Sequence, residues 1–363
     1  MILNLALNMG GFMAPSTQTA LPRDLPSLTS LRAAAALMVF AFHLQRWNVV
    51  DIPLVAVGDT GVAFFFVLSG YLLTWGYAGG VDARRFYVRR FARIVPSHVV
   101  LWTLALLVPV TAFPVSLPVA LTNLPLLQAW IPVERFAYGM NGVTWSLSCE
   151  IAFYAAFPVA LSLLSKVSIK SAWIIVATCF TVTGVFAVAV SAPQTPVSLA
   201  LIGYTNPVIR FPEFLLGVAA ARATRAGSGL SWLQSALICF TCLAGFTVEH
   251  DRPGRDVWLA PLFLLVILFM ADRDCRHRDT WTAAPPLVYA GKVSFAFYMV
   301  HELIIMTLRH LLGPGVSTAI VALGAACLCA VALHQVVELP CQSRLVRLLD
   351  STRRTPPSDP VAT

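Results

Sequence analysis

The sequence predicts an all-α, polytopic integral membrane protein with about ten transmembrane helices. Of its 363 residues, 58% are hydrophobic and only 12% are charged, and its mean hydropathy is +0.77. A soluble domain carries about 25% charged residues. The apolar residues form long runs, each roughly the length needed to cross a bilayer core, and spans in lipid must be helices because they satisfy their own backbone polar groups. The predicted spans are 30–48, 61–80, 98–117, 146–165, 171–191, 207–221, 231–247, 257–271, 287–312 and 316–338.

The distribution of basic residues predicts the orientation. With the N-terminus in the cytoplasm, most of the 25 lysines and arginines lie in cytoplasmic loops, in agreement with the positive-inside rule. Both termini are therefore expected in the cytoplasm, and the net charge of +8 reflects topology rather than nucleic-acid binding. The transmembrane domain is assigned to residues 28–345, between disordered cytoplasmic tails at 1–27 and 346–363. The eight cysteines are scattered, and no metal site is expected.

The first span, "LTSLRAAAALMVFAFHL", carries Arg32 and His43. Eleven residues correspond to about three helical turns, so both side chains project from one stripe of the helix, about 16 Å apart along its axis. Arg32 lies at the predicted cytoplasmic rim and His43 beyond the middle of the bilayer. Ionisable residues within spans indicate function by default. The structural alternatives are a snorkelling arginine and a buried, hydrogen-bonded histidine.

The second span, "GVAFFFVLSGYLLTW", contains Ser69 and ends in a predicted loop with five arginines, "RRFYVRRFARIVP". Arg93 follows Arg89 by four residues and Arg90 by three, so one helical turn presents them together. Guanidinium groups bind phosphate in a bidentate manner, which favours a polyanionic cytoplasmic ligand. A patch for anionic lipids is the alternative.

Two further spans carry polar stripes. In "TWSLSCEIAFYAAFP", Ser146, Glu150 and Tyr154 follow each other at intervals of four, although the helix dipole alone also favours a carboxylate near its N-terminus. "GKVSFAFYMVHELI" and the last span show the same pattern. Interhelical hydrogen bonds are the alternative explanation for each stripe, but together the stripes indicate a common polar interior. The residues concerned are Ser294, Tyr298 and His301, and then His334 and Glu338.

These segments resemble the membrane acyltransferase-3 family, which includes O-antigen and Nod-factor O-acetylases and macrolide acyltransferases. The spacing of Arg32 and His43 is similar to the signature of the family's first helix, and six further segments follow in the family's order across residues 28–345. These segments are "FFFVLSGYL", "RRFARIVP", "WSLSCEIAFY", "RFPEFLLG", "VSFAFYMVH" and "VVELP".

The resemblance implies a multi-pass protein of the bacterial plasma membrane. It transfers an acetyl or other short acyl group from acyl-CoA, as co-substrate without a permanently bound cofactor, to a hydroxyl group. A sugar, an envelope glycan and a secondary metabolite such as a macrolide are the acceptors considered. Some relatives carry an SGNH-type domain that passes the acyl group on. The sequence shows no such domain, so direct acylation of the acceptor is expected.

In the mechanism that we expect, His43 is the general base for the acceptor hydroxyl, and Glu150 orients its imidazole or stabilises its cation. Arg32 holds a phosphate or pantetheine carbonyl of the donor, and an acyl-histidine intermediate is the rival scheme. The resemblance associates Arg89, Arg90 and Arg93 with donor binding. A supporting cavity is expected from Ser69, Trp145, Ser148, Tyr154, Ser294, Tyr298, His301 and Glu338.

A proton-coupled exporter is the alternative function. It would use His43, Glu150 and His301 as relay groups. This alternative explains neither the five arginines nor the ordered set of segments.

Overall fold

In the hydrocarbon core of a membrane, backbone N–H and C=O groups can hydrogen bond only within their own segment. The apolar segments of this chain are accordingly helical. The computed structural model describes residues 21–77, 79–107, 111–249, 255–277 and 280–351, and no β-strand occurs within those ranges. The helices are α1 Pro26–Arg46, α2 Gly61–Gly76, α3 Ala83–Leu107, α4 Leu117–Asn123, α5 Glu134–Ala137, α6 Trp145–Ser165, α7 Ile169–Ala189, α8 Val197–Thr205, α9 Pro207–Arg225, α10 Trp232–Glu249, α11 Asp256–Cys275, α12 Pro285–Leu312, α13 Val316–Leu333 and α14 Leu339–Ser351.

Among the residues that the structure describes, seven helical segments are long and apolar enough to cross a membrane, which confirms the polytopic fold. They coincide with seven of the ten predicted spans. Helices α9, α10 and α11 occupy the other three positions, but they do not meet the same criteria of length and apolarity. The count of ten and the cytoplasmic termini therefore stay predictions.

Two predicted boundaries differ from the structure. The third span was expected at 98–117, but α3 begins at Ala83, so the arginine-rich segment is helical and is not a loop. The helix begins before the predicted span because charged side chains allow a helix to continue beyond the hydrocarbon core, and the arginines form this part of α3. The predicted tails at 1–27 and 346–363 lie mostly outside the described residues, although α1 begins at Pro26 and α14 continues to Ser351.

Helix α2 lies at the centre of the bundle. In the most apolar 18 residues of the segment Val57–Gly76, 78% are buried, compared with 22% in the corresponding part of α7, which turns most of its surface outwards. Helix α2 packs along α9, and α1 packs along α12. Two glycines allow the first contact: a Cβ atom on Gly70 would lie 2.0 Å from the Phe214 carbonyl oxygen, and one on Gly217 would lie 1.9 Å from that of Val67. Small residues of this kind let helix backbones approach closely in membranes.

The connection between α3 and α6 is held by buried amides. Asn123 donates from Nδ2 to Thr144 Oγ1 at 3.0 Å, and Gln128 donates from Nε2 to the Thr144 carbonyl oxygen at 2.8 Å. Asn141 donates to the Met299 carbonyl oxygen of α12 at 2.8 Å. The start of α6 is thereby fixed against α12.

We expect Gly217→Ala to destabilise the protein by about 1–3 kcal/mol, because the new methyl group would overlap the backbone of α2. Gly324→Ala is the matched control, since no atom lies within 4 Å of the Cβ position there. Thermal unfolding of the detergent-solubilised variants measures the difference. Equal melting temperatures for the two variants would contradict the close α2–α9 contact.

Candidate active site

Helix α1 carries Arg32 and His43 on one side, but the two side chains open into different cavities. Arg32 lines a small cavity of about 90 Å³, the Arg32 cavity. His43 lines a larger cavity of about 680 Å³, the His43 cavity. A common polar interior was expected, and the structure divides it into two cavities that adjoin at Val62 and Tyr298.

The Arg32 cavity is strongly basic. Arg90 and Arg93 of α3 line it beside Arg32, and Glu150 supplies a carboxylate. The Arg90 guanidinium lies 5.6 Å from the ring centre of Tyr154, and the Arg93 guanidinium lies 5.2 Å from that of Phe295. The Nε atom of Arg32 is buried and has no hydrogen-bond partner within the described ranges. The cavity is therefore suited to an anion.

The His43 cavity lies at the opposite end of α1. It is formed where α1 ends and where α2 and α6 begin, whereas the Arg32 cavity extends from Arg32, near the start of α1, along α2 from Val62 to Leu73 and meets the first turns of α6. Burial raises the pKa of the Tyr138 phenol above its ordinary value, so this side chain stays a neutral hydrogen-bond donor. The polar and aromatic residues that line the His43 cavity include His43, Arg46, Trp47, Asp59, Glu134, Tyr138, Trp145, Tyr204, Arg255, Tyr298 and Glu302.

Tyr298 separates the two cavities. It lines both of them, as does Val62. Its hydroxyl group hydrogen bonds with Ser146 Oγ at 2.8 Å and donates to the Val143 carbonyl oxygen at 3.2 Å, and its ring packs at 5.8 Å from that of Phe65. These contacts attach α12 to the start of α6 at the boundary that the two cavities share.

His43 is held in one tautomer. Its Nδ1 lies 2.8 Å from the Val39 carbonyl oxygen and 3.2 Å from Nε2 of His301. A carbonyl oxygen only accepts, so the hydrogen of neutral His43 is on Nδ1. His301 is oriented in the same way, because its own Nδ1 lies 2.7 Å from the Tyr298 carbonyl oxygen. The free lone pair of His43 is therefore on Nε2, where it can accept a proton.

The carboxylate beside His43 is Glu302, which the sequence analysis did not select. Glu302 Oε1 lies 3.7 Å from His43 Nε2, whereas Glu150 lines the Arg32 cavity. The expected pairing of Glu150 with His43 is therefore wrong: α6 directs Glu150 towards the arginines, where it accepts a hydrogen bond from Tyr154. One signal was available, because Glu302 is an ionisable residue within a predicted span and directly follows His301.

The other predicted residues are divided between the cavities and the core. Ser69 lines the Arg32 cavity and Trp145 the His43 cavity. Ser148 is buried, and Ser294 donates to the Gly291 carbonyl oxygen. Glu338 pairs with His334 in a π-helical turn, 334–338, and Arg89 is not among the residues that line the Arg32 cavity. Within the described ranges, no cluster of metal-ligating side chains occurs.

A separate group of buried charges joins α9 to α11. Arg210 is 3% exposed and lies 2.8 Å from Asp256 and 3.1 Å from Glu213. Nearby, Arg255 pairs with Asp59 at 2.7 Å. Each arginine meets an acidic partner, so the group serves mainly to connect helices.

A base with a defined free lone pair, embedded in a membrane-spanning bundle next to a basic cavity, defines a multi-pass membrane enzyme. The chain belongs to the acyltransferase-3 family, whose profile, described as an acyltransferase domain, matches residues 25–335. It is an O-acyltransferase by that membership and by its relatives, and the exporter alternative is set aside.

The curated relatives include two named enzymes. Acyltransferase MdmB of Streptomyces mycarofaciens is 32% identical, over 89% of this chain and 93% of the relative. Peptidoglycan O-acetyltransferase OatA of Listeria monocytogenes is 24% identical, over 87% of this chain but only 55% of its own length. No solved structure matches the chain.

We expect Arg210→Met to destabilise the protein by about 3–5 kcal/mol, because the substitution leaves Asp256 and Glu213 buried without their cation. Arg344→Met on the exposed surface of α14 is the control and should change stability by less than about 0.5 kcal/mol. Thermal unfolding distinguishes the two. An unchanged melting temperature for Arg210→Met would show that these charges are not coupled.

Proposed function

We propose that the protein transfers an acetyl or other short acyl group from acyl-CoA to a hydroxyl group of a sugar, an envelope glycan or a secondary metabolite, in the plasma membrane of a bacterium. The observation that carries the proposal is His43, whose Nε2 lone pair faces a cavity large enough for an acceptor. Membership of the acyltransferase-3 family supports the type of reaction.

The donor enters through the Arg32 cavity. At about 90 Å³, this cavity is well below the 300–1,000 Å³ of typical ligand pockets, so it fits the thioester end of the donor and not the nucleotide. Arg90 and Arg93 then bind the phosphates at its mouth, because guanidinium groups match phosphate geometry. Arg32 holds a polar group of the pantetheine arm with its unpartnered Nε.

The acceptor occupies the His43 cavity. Its volume of about 680 Å³ falls within the range of small-molecule sites. The lining combines Trp47, Trp145, Tyr138 and Tyr204 with charged groups. Aromatic faces with hydrogen-bonding groups at their edges suit a ligand that carries several hydroxyl groups. One relative is named a peptidoglycan O-acetyltransferase, which supports a glycan among the candidate acceptors.

The reaction needs one proton acceptor. The acceptor hydroxyl gives its proton to His43 Nε2 while its oxygen bonds to the thioester carbonyl carbon. The carbon–sulfur bond then breaks, and the imidazolium returns the proton to the departing thiolate of coenzyme A. Because Tyr298 and Val62 line both cavities, the thioester reaches the hydroxyl beside Tyr298.

We expect His43→Ala to lower the rate of acyl transfer by about 10²–10⁴-fold, the usual contribution of a general base, while the affinity for acetyl-CoA stays the same. Thiol release from acetyl-CoA by the purified protein and binding of labelled acetyl-CoA measure the two quantities. His310→Ala, an exposed histidine at the end of α12, is the control. Full activity of His43→Ala would overturn the proposal, and labelled acyl trapped on His43 without acceptor would favour the acyl-histidine scheme.

We expect Arg93→Ala to raise the KM for acetyl-CoA by about 10-fold or more, because a charged hydrogen bond contributes about 1.5–3 kcal/mol. Arg89→Ala, on the same helix but outside the cavity lining, should have a smaller effect. Steady-state kinetics with varied acetyl-CoA compare the two variants. A larger effect at Arg89 would place the donor elsewhere.

A further inference from the structure

We propose that Glu302 is the charge partner of His43, a positioning residue that acts through the imidazole. The inference rests on the proposed function, because it assumes that His43 accepts the proton. Glu302 is 4% exposed and lies on α12, one residue after His301. Its Oε1 lies 3.7 Å from Nε2, the nitrogen that carries the lone pair.

The distance of 3.7 Å is longer than a hydrogen bond and shorter than the usual limit of an ion pair. In the resting state, Nε2 therefore remains free for the acceptor hydroxyl. Once Nε2 has taken the proton, the imidazolium and the carboxylate attract each other within a buried site, where charges interact more strongly than in water. Glu302 thus stabilises the protonated His43 that forms during the reaction.

The surroundings of Glu302 leave its charge available. Trp47 donates from Nε1 to Oε1 at 3.1 Å, but Oε2 is buried without a partner within the described ranges. A buried carboxylate with so few donors is poorly compensated, unlike Asp256, which pairs with Arg210. The imidazolium of His43 supplies the missing positive charge.

Gly142 makes room for this carboxylate. A Cβ atom on Gly142 would lie 2.6 Å from Oε2 and 2.9 Å from Oε1 of Glu302. The neighbouring residue, Asn141, is tied to α12 through the Met299 carbonyl oxygen, so the backbone at this point cannot move away easily. Any larger side chain would displace Glu302 from His43.

Other titratable groups face the same site. Arg46 lies on α1, Asp59 precedes α2, Tyr138 follows α5, and His301 and Tyr298 belong to α12. Glu134, Tyr204 and Arg255 line the same cavity. Arg46 opposes the effect of Glu302 on His43, whereas the charge of Asp59 is met by Arg255. These groups stay in place in the variants below, so a change in pH dependence reports Glu302 itself.

The test is the pH–rate profile for thiol release from acetyl-CoA by the purified full-length protein. In Glu302→Gln, we expect kcat to fall about 10-fold or more and the acidic limb to move to lower pH by about one unit, because an opposite charge this close favours the protonated imidazole. The KM for acetyl-CoA should not change. Trp47→Phe leaves the carboxylate less compensated and should move the limb to higher pH. If Glu302 had a purely structural role, the two variants would not move the acidic limb of the profile in opposite directions.

Gly142→Ala provides an independent variant and should reproduce the shift of Glu302→Gln. If Glu302→Gln does not accumulate as folded protein, Gly142→Ala and Trp47→Phe give the answer. An acidic limb identical to that of the unchanged protein, in variants that fold, overturns the inference. If instead His43→Ala retains activity, the proposed function fails first, so the two failures are distinguishable.

Discussion

The low polarity of the bilayer governs the arrangement of the polar groups on the membrane-spanning helices of this protein. No water is present in the hydrocarbon core to satisfy an exposed donor or acceptor, so the polar stripes of α1, α6 and α12 turn inwards and meet. The hydrogen bonds of His43 show the consequence. Its Nδ1 is satisfied by Val39 and His301, which leaves a single nitrogen with chemical freedom. The tautomer of His43 thus depends on the apolar bilayer, which supplies no other hydrogen-bond partner, as much as on the neighbouring residues.

Two kinds of buried charge result from the same constraint. Arg210 forms ion pairs with Asp256 and Glu213, and such pairs hold helices together. Arg32 and Glu302, by contrast, lie beside a cavity and have no permanently charged partner at ion-pair distance within the described ranges. A charged group without a charged partner is one that a bound ligand or a transferred proton can neutralise. All of these charges are buried or half-buried, so burial does not distinguish the structural charges from the candidate functional ones. The presence or absence of an oppositely charged partner does.

The sequence predicted most of what depends on a single helix. The side chains of Ser146, Glu150 and Tyr154 do form one polar face of α6. Tyr154 donates a hydrogen bond to Glu150, and Ser146 hydrogen bonds with Tyr298. Periodicity within a span determines which residues share a face, and it needs no knowledge of the partner helix.

What the sequence did not predict depends on contacts between distant segments. Glu302 meets His43 across 259 residues of chain, and neither periodicity nor spacing indicates that the two are close in space. The division into two cavities has the same origin, because it results from the packing of Tyr298 against α6. The helical form of the arginine segment was missed for a different reason: charge patterns indicate the side of the membrane and not the local backbone.

Tyr298 has one more consequence for a protein embedded in a membrane. An open, hydrated path from one end of α1 to the other would let protons and small ions cross, and would dissipate the electrochemical gradient on which the cell depends. The Tyr298 phenol, held by Ser146 and Val143, lies at the boundary of the two cavities, which any such path would have to cross. The side chain that joins donor and acceptor sites is thus also the one at which a leak of ions would have to be limited.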